Sequence, residues 1–447
     1  MSDHFKNLIG FIKSYSERNF LRLHVPGHQG RCTFLNNQLA ARFDITEVAG
    51  ADWLFDSCGI LQELEEELSL LFGQSTAIST CGSTLCVQTM VALCKNRVFI
   101  VHRNSAHVSF FNACALLGVR VQWFGCDENF GLNSFNLNEI RALLSMHKKG
   151  TCAIYLTSPD YFGLFAPVEQ IAKVCKEFEA LLLVDCAHGA HLNFIATSTH
   201  PAKMGADLSC SSLHKTLPTL TGAAVLNFNE KLFSKAKVKE TMATFSTTSP
   251  SYLIMSSISF CVSWLQKHGE QEFDKLAKRK QRFVENLQLP VLQTDVAKLV
   301  IDCRAINLTG LQLAEILRSK RIEPEFANVN FLVMVLSPFL NDADWKRLKA
   351  CLSEIKFEAV NLRKRIFFNM TQNILYAKNN DVVELSLVFG RPTERINLNE
   401  QAVGRICAKT KFKSPPGTVI VAAGERLSSS LVCELNRHGL TQLEVVL

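Results

Sequence analysis

The 447-residue chain is 47% hydrophobic and 20% charged, a globular balance that excludes a disordered protein, and its length calls for more than one domain. A net charge of +7 is too small and scattered for a nucleic-acid partner, and the basic clusters at 275–282 and 363–365 read as solvated helix faces. No apolar run approaches the ~18 residues of a membrane span and the first residues lack the order of a secretion signal, so a cytoplasmic protein without a membrane partner is expected.

The first forty residues hold a short amphipathic helix and then Leu23-His24-Val25-Pro26-Gly27-His28-Gln29-Gly30, where Pro and Gly force a loop. The spacing of Leu61, Leu64, Leu68 and Leu71 predicts a helix over Ile60 to Phe72, with acidic residues on the opposite face and Gly73 as its C-cap. Apolar strands are expected at Thr76–Thr80, Val98–His102, Ala153–Thr157, Leu181–Asp185, Leu208–Leu213 and Ala223–Phe228, alternating with helices. That alternation is the signature of an α/β protein with a mostly parallel sheet. Beyond Pro290 the texture changes: a strand at Lys298–Asp302, a helix at Gly310–Lys320 and a strand at Asn330–Leu336 predict a smaller α+β domain. The expected divisions are an N-terminal segment 1–40, a large domain 41–290, a small domain 291–371 and a C-terminal lobe 372–447. The sixteen cysteines include no C-x-x-C pair and many lie in apolar runs, so they read as small buried hydrophobes in a reducing compartment, with no metal site.

Two polar clusters end adjacent apolar strands. Asp185-Cys186-Ala187-His188-Gly189-Ala190-His191 follows Leu181–Val184, and Ser212-Leu213-His214-Lys215 follows the strand beginning at Asp207. Open α/β sheets bind ligands at such carboxyl ends. An amine able to form a Schiff base, joined by a carboxylate able to pair with a pyridine nitrogen, is the set that pyridoxal 5'-phosphate (PLP) needs, and Lys215 and Asp185 fit those roles. Ahead of them, Cys81-Gly82-Ser83-Thr84 stands between a strand and a helix start, a seat for a phosphate that Ser212 and His214 complete. His107, in a loop beyond Val98–Val101, is the candidate to stack on the ring.

These motifs resemble the ornithine, lysine and arginine decarboxylases of PLP fold type I, in their short bacterial form. The resemblance extends over nearly the whole chain, through Pro26-Gly27-His28, Asp44-Ile45-Thr46-Glu47 with Gly59-Ile60, Gly82-Ser83-Thr84, Thr157-Ser158-Pro159-x-Tyr161-x-Gly163, Asp185-x-Ala187-His188, Ser212-x-His214-Lys215, Thr247-Thr248-Ser249, Gly404-Arg405, Pro415-Pro416-Gly417 and Gly424-Glu425. It implies a large domain built on a mostly parallel seven-stranded sheet, and decarboxylation of a basic amino acid. Lys215 would be the cofactor lysine, Asp185 the partner of the ring nitrogen, His107 the ring-stacking residue, and Ala187 and His188 the other flank. Gly82, Ser83, Thr84, Ser212 and His214 would hold the phosphate. Thr248 would reach into a neighbouring subunit's site, making a homodimer or larger homo-oligomer the active unit. Tyr161, Glu325 and Glu425 would face the substrate, and Asp160, where the family has Thr or Asn, is either an added anion for that substrate or a surface substitution. Cys81, Val108, Asp160, Cys186 and Ser414 depart from the family pattern and leave the choice of basic amino acid open. An aminotransferase or carbon–sulfur lyase, with Arg391 as carboxylate clamp, and a degenerate regulatory homologue are the competing readings.

Overall fold

The computed structural model describes residues 20–23, 52–102, 105–125, 135–355, 388–413, 418–437 and 439–447. Pro26–His28, Asp44–Glu47, the 363–365 cluster and Ser414–Gly417 lie outside them. The first described strand, Leu21–Leu23 (β1), pairs in parallel with a strand 300 residues on, Ile322–Pro324.

The large sheet contains Ser75–Ser79 (β2), Val98–His102 (β3), Val121–Phe124 (β4), Cys152–Thr157 (β5), Leu181–Asp185 (β6), Leu208–Ser211 (β7) and Ala224–Phe228 (β8), in the order β2-β8-β7-β6-β5-β3-β4. β8 is antiparallel to both its neighbours, and the other six strands run one way. Both faces are covered, which is why these strands read as unbroken apolar runs rather than alternating ones. Side chains still alternate between two cores: Phe99, Val101, Tyr155 and Leu183 pack on one face, Ile100, Ile154, Leu156 and Val184 on the other.

Helix α1 (Ile60–Phe72) ends at Gly73 in the left-handed region, φ +74°, as its pattern requires. One acidic position departs from the expectation. Glu65 is fully buried, with Lys239 Nζ at 2.8 Å and Lys235 Nζ at 3.2 Å, so its paired charges come from a helix far along the chain, Lys235–Phe245. A second correction concerns the strand expected at Leu208–Leu213: β7 stops at Ser211, and Leu213–Thr216 makes one helical turn closed by Leu217 N–H donating to Leu213 O at 2.8 Å. Leu213 is apolar because that turn is buried, not because the strand continues.

The long helical run Glu270–Glu285 carries the basic cluster at 275–282 and pairs it outward, Lys275 with Glu272 and Lys278 with Asp274. Lys280 instead turns to the carbonyls of Thr294 and Asp295, at the entry to the next unit. There, Lys298–Asp302 (β9), Phe326–Ala327 (β11) and Phe331–Val335 (β12) form an antiparallel sheet in the order β11-β12-β9, while Ile322–Pro324 (β10) takes β1 as its partner. Gly310–Ser319 and Asp342–Ser353 are its helices, each opened by a capping box. The described C-terminal residues pair Thr393–Asn397 with Gln442–Val446 and Lys411–Lys413 with Thr418–Val421, around a core of Leu398, Cys407, Leu435 and Val445.

Candidate active site

Parallel register puts Thr157 of β5 opposite Asp185 of β6, and Asp185 opposite Cys210 of β7, so three strands deliver their polar ends side by side. Asp185 is buried and accepts three donors: Ala187 N–H at 3.0 Å and the Cys210 thiol at 3.6 Å on Oδ1, and the Tyr155 hydroxyl at 3.2 Å on Oδ2. Tyr155 is locked by stacking on Phe110, centroids 4.1 Å apart. Burial first and the Asp185 charge second push the Tyr155 hydroxyl and the Cys186 and Cys210 thiols well up, so all three stay protonated beside the carboxylate.

Lys215 lies on the turn after β7, its Nζ 3.1 Å from His188 Nε2. Burial lowers its proton affinity, opposed by Asp185. His188 is held far below the usual imidazole range by burial and then by the Lys215 and Lys298 charges. His188 Nδ1 is engaged too: Lys298 Nζ, from the first residue of β9, stands 3.0 Å away. Lys298 is wholly buried, its ammonium 5.0 Å from the centre of the Tyr161 ring.

The phosphate side is equally local. Gly82 opens the helix Gly82–Leu93 at φ +70°, a left-handed backbone, and a side chain there would meet nothing within 4 Å, leaving the helix start open in front. Ser212 Oγ donates to Ser83 Oγ at 2.9 Å, tying the end of β7 to that helix start, with Thr84 exposed next to it. His214 Nδ1–H donates to Ala223 O at 2.9 Å, which fixes its ring. His107 caps the helix Val108–Leu117: its Nδ1 accepts from Ser109 N–H at 3.2 Å.

On the substrate side, Tyr161 donates to Glu325 Oε1 at 2.7 Å, linking the loop after β5 to the end of β10. Asp160 Oδ1 accepts from Phe162 N–H and Leu164 N–H, both at 2.9 Å, so this departure from the family pattern organises its own loop. Burial pushes the Asp160 carboxyl up to about 6. Thr248 is exposed, its carbonyl accepting from Trp53 Nε1 at 3.3 Å. Glu425 is buried within the C-terminal residues, where Ala422 N–H donates to its Oε2 at 2.7 Å. Arg391 is exposed beside the turn Val388–Gly390. Direct contacts pair Lys215 with His188, Asp185 with Ala187 and Ser212 with Ser83, and Lys298 links His188 to Tyr161, which bonds Glu325. Thr248 and Glu425 are engaged elsewhere.

Sequence reasoning passed over Lys298, Tyr155 and Cys210. Lys298 carried one signal, a lone cation heading a strand that is otherwise apolar up to Asp302. The donor set fits PLP: an amine for the aldehyde, a buried carboxylate for a cationic ring nitrogen, and hydroxyls with an unobstructed helix start for the phosphate.

Residues 7–301 match the pattern of the Orn/Lys/Arg decarboxylase major domain. The chain belongs to the Orn/Lys/Arg decarboxylase family. It is 26% identical over 460 aligned positions to an arginine decarboxylase of Bacillus subtilis, spanning 95% of this chain and 92% of that one. The constitutive lysine decarboxylase of E. coli has the same fold, TM-score 0.75 at 16% identity, covering 99% of this chain and 78% of that one. A serine palmitoyltransferase from S. paucimobilis with bound PLP matches at TM-score 0.58 and 13% identity, covering 75% of this chain and 86% of that one. Family membership makes the chain a PLP-dependent decarboxylase of the basic amino-acid class and decides against the aminotransferase and carbon–sulfur lyase readings. Among the described residues no helix is long and apolar enough to cross a membrane.

Proposed function

We propose that the chain decarboxylates arginine, lysine or ornithine, with arginine the first candidate, releasing CO₂ and the corresponding amine as a polyamine precursor. The observation that carries this reading is the placing of Lys215 and Asp185 at the carboxyl ends of neighbouring strands, Asp185 buried and bonded by Tyr155, Lys215 half-buried and bonded to His188. Bound PLP supplies an electron-poor ring that takes up the electron pair left when CO₂ departs. Lys215 would anchor the aldehyde and, when released, would return a proton to the substrate's α-carbon. Asp185, fixed by Tyr155 and Ala187 N–H, holds a negative charge against the ring nitrogen. His107 and Ala187 would hold the ring between them, with His188 at the flank. Gly82, Ser83, Thr84, Ser212 and His214 hold the phosphate, with Thr248 contributed by a second copy of the chain, on whose behalf it stands exposed here.

Glu325, whose Oε1 accepts the Tyr161 hydroxyl, supports a cationic substrate, since a carboxylate there suits an ammonium or guanidinium. Asp160 adds negative charge to the same side, whereas Glu425 is held by Ala422 N–H within the C-terminal residues. The thiols support a reducing cytoplasm, since the described cysteines are all free. Incubating the purified protein with PLP and each of the three amino acids, then measuring CO₂ and amine, tests the reading. Amine from arginine above the other two is expected. Amine from none of them, with Lys215 still carrying the cofactor, would leave a regulatory homologue instead. Light scattering at twice the chain mass is the expected assembly, and full activity in a monomer would rule out the shared site.

A further inference from the structure

His188 lies between two amines, Lys215 Nζ at 3.1 Å from Nε2 and the fully buried Lys298 Nζ at 3.0 Å from Nδ1. An imidazole carries at least one N–H, and an N–H facing an amine needs a lone pair opposite it. Whatever the charge on His188, one of the two lysines is therefore uncharged. The surroundings choose which. Burial lowers the proton affinity of Lys298 too, but three carboxylates, Glu325, Asp295 and Asp160, oppose that, and its amine lies against the face of the Tyr161 ring, a contact that favours a cation. Lys215 faces Asp185, Glu325 and the Cys210 thiol, and it is opposed by the Lys298 charge. Burial first, and then any positive charge on Lys215, Lys298, His107 or His214, disfavours a second proton on the imidazole.

We propose that Lys298 is a positioning residue: its ammonium donates to His188 Nδ1, fixes the imidazole as the Nε2–H tautomer, and thereby holds Lys215 as an uncharged amine ready to react. The proposal rests on the reading of Lys215 as the cofactor's anchor. Condensation then forms a C–N bond between Lys215 Nζ and the aldehyde carbon, and the aldehyde oxygen leaves as water with the two amine hydrogens. Neutral Lys215 has the lone pair that this step uses, whereas an ammonium does not. The device spans both parts of the chain, because His188 follows β6 of the large sheet while Lys298 opens β9. Gly163 is what lets the Lys298 stem pass: a Cβ at Gly163 would lie 2.8 Å from Lys298 Cγ.

The test uses the full chain without cofactor, labelled with ¹⁵N-histidine. The His188 signals, assigned by their loss in His188→Asn, are expected to show a protonated Nε2 and a bare Nδ1. A protonated Nδ1 with bare Nε2 overturns the proposal without any change at Lys298. Lys298→Met removes the charge at similar length, and Lys298→Arg restores it. The rate at which each apoprotein condenses with PLP, followed by absorbance against pH, is expected to move up in the Met variant by on the order of one pH unit, about tenfold slower at neutral pH, and to recover in the Arg variant. Unchanged profiles in the Met variant, with Lys215 still carrying the reduced adduct after borohydride, contradict the role of Lys298 alone. No adduct on Lys215 in the unaltered chain removes the underlying reading as well.

Discussion

Replacing Asp185 with Asn separates its folding role from its chemical one. The three groups that contact its carboxylate are donors: Ala187 N–H and the Cys210 thiol on one oxygen, the Tyr155 hydroxyl on the other. Asn keeps an oxygen for Ala187 and places its amide at Tyr155, whose hydroxyl rotates to accept. The fold then loses about one charge-assisted hydrogen bond in favour of a neutral one, a cost of ~1–2 kcal/mol. The reaction loses more, because a neutral amide no longer stabilises a cationic ring nitrogen. At ~1.5–3 kcal/mol for a hydrogen bond between charged partners, kcat falls at least ~10- to 150-fold. The assay is CO₂ release at saturating substrate and PLP, beside a urea denaturation curve of the same preparations. A variant that denatures near the parent midpoint yet keeps kcat within threefold would refute the assignment of Asp185 to the ring.

Gly163→Ala is expected to destabilise the chain by ~2–5 kcal/mol, since it sets a side chain at φ +83° and drives a methyl to 2.4 Å from Asp295 Oδ2, with a matching drop in the denaturation midpoint. An unchanged midpoint would mean that the loop and β9 are not packed as described. Asp160→Asn tests a buried charge. Its folded proton affinity lies near 6 against 3.8 for the free group, so the carboxyl's ionisation opposes folding. That penalty is absent below about pH 4, grows between pH 4 and 6, and stays constant above. Asn retains an oxygen for the Phe162 and Leu164 N–H groups, so the variant is expected to be more stable than the parent at pH 8 by ~2–3 kcal/mol, with the gap closing by pH 4. A gap of equal size at both pH values would show that ionisation is not its cause.

Strands buried on both faces were plain in the sequence because each is an uninterrupted apolar run, and β3 and β6 begin and end where those runs do. β4 escaped notice: it is only four residues long, with Gln122 half-buried in its middle, and it sits at the sheet edge next to β3. The Lys215 and Asp185 clusters were legible because strand ends collect polar residues locally. Lys298 was not. Its burial comes from His188, Glu325, Asp295 and Asp160, partners brought by four separate stretches of chain, and a lysine at a strand start looks solvated until they are in place. Glu65 was misread for the same reason, because only the approach of Lys239 makes an acidic side chain tolerable inside a helix interface. Asp160 stood out by its type, but what it does is set by two N–H groups of its own loop, which depends on backbone conformation rather than composition.

The central assignment is best tested by reducing the PLP-loaded protein with borohydride and locating the modified side chain by peptide mass spectrometry. A single pyridoxyl group on Lys215, absent from Lys215→Ala, is the expected result. Stoichiometric label on another lysine, Lys298 included, or none on the folded chain, would contradict it.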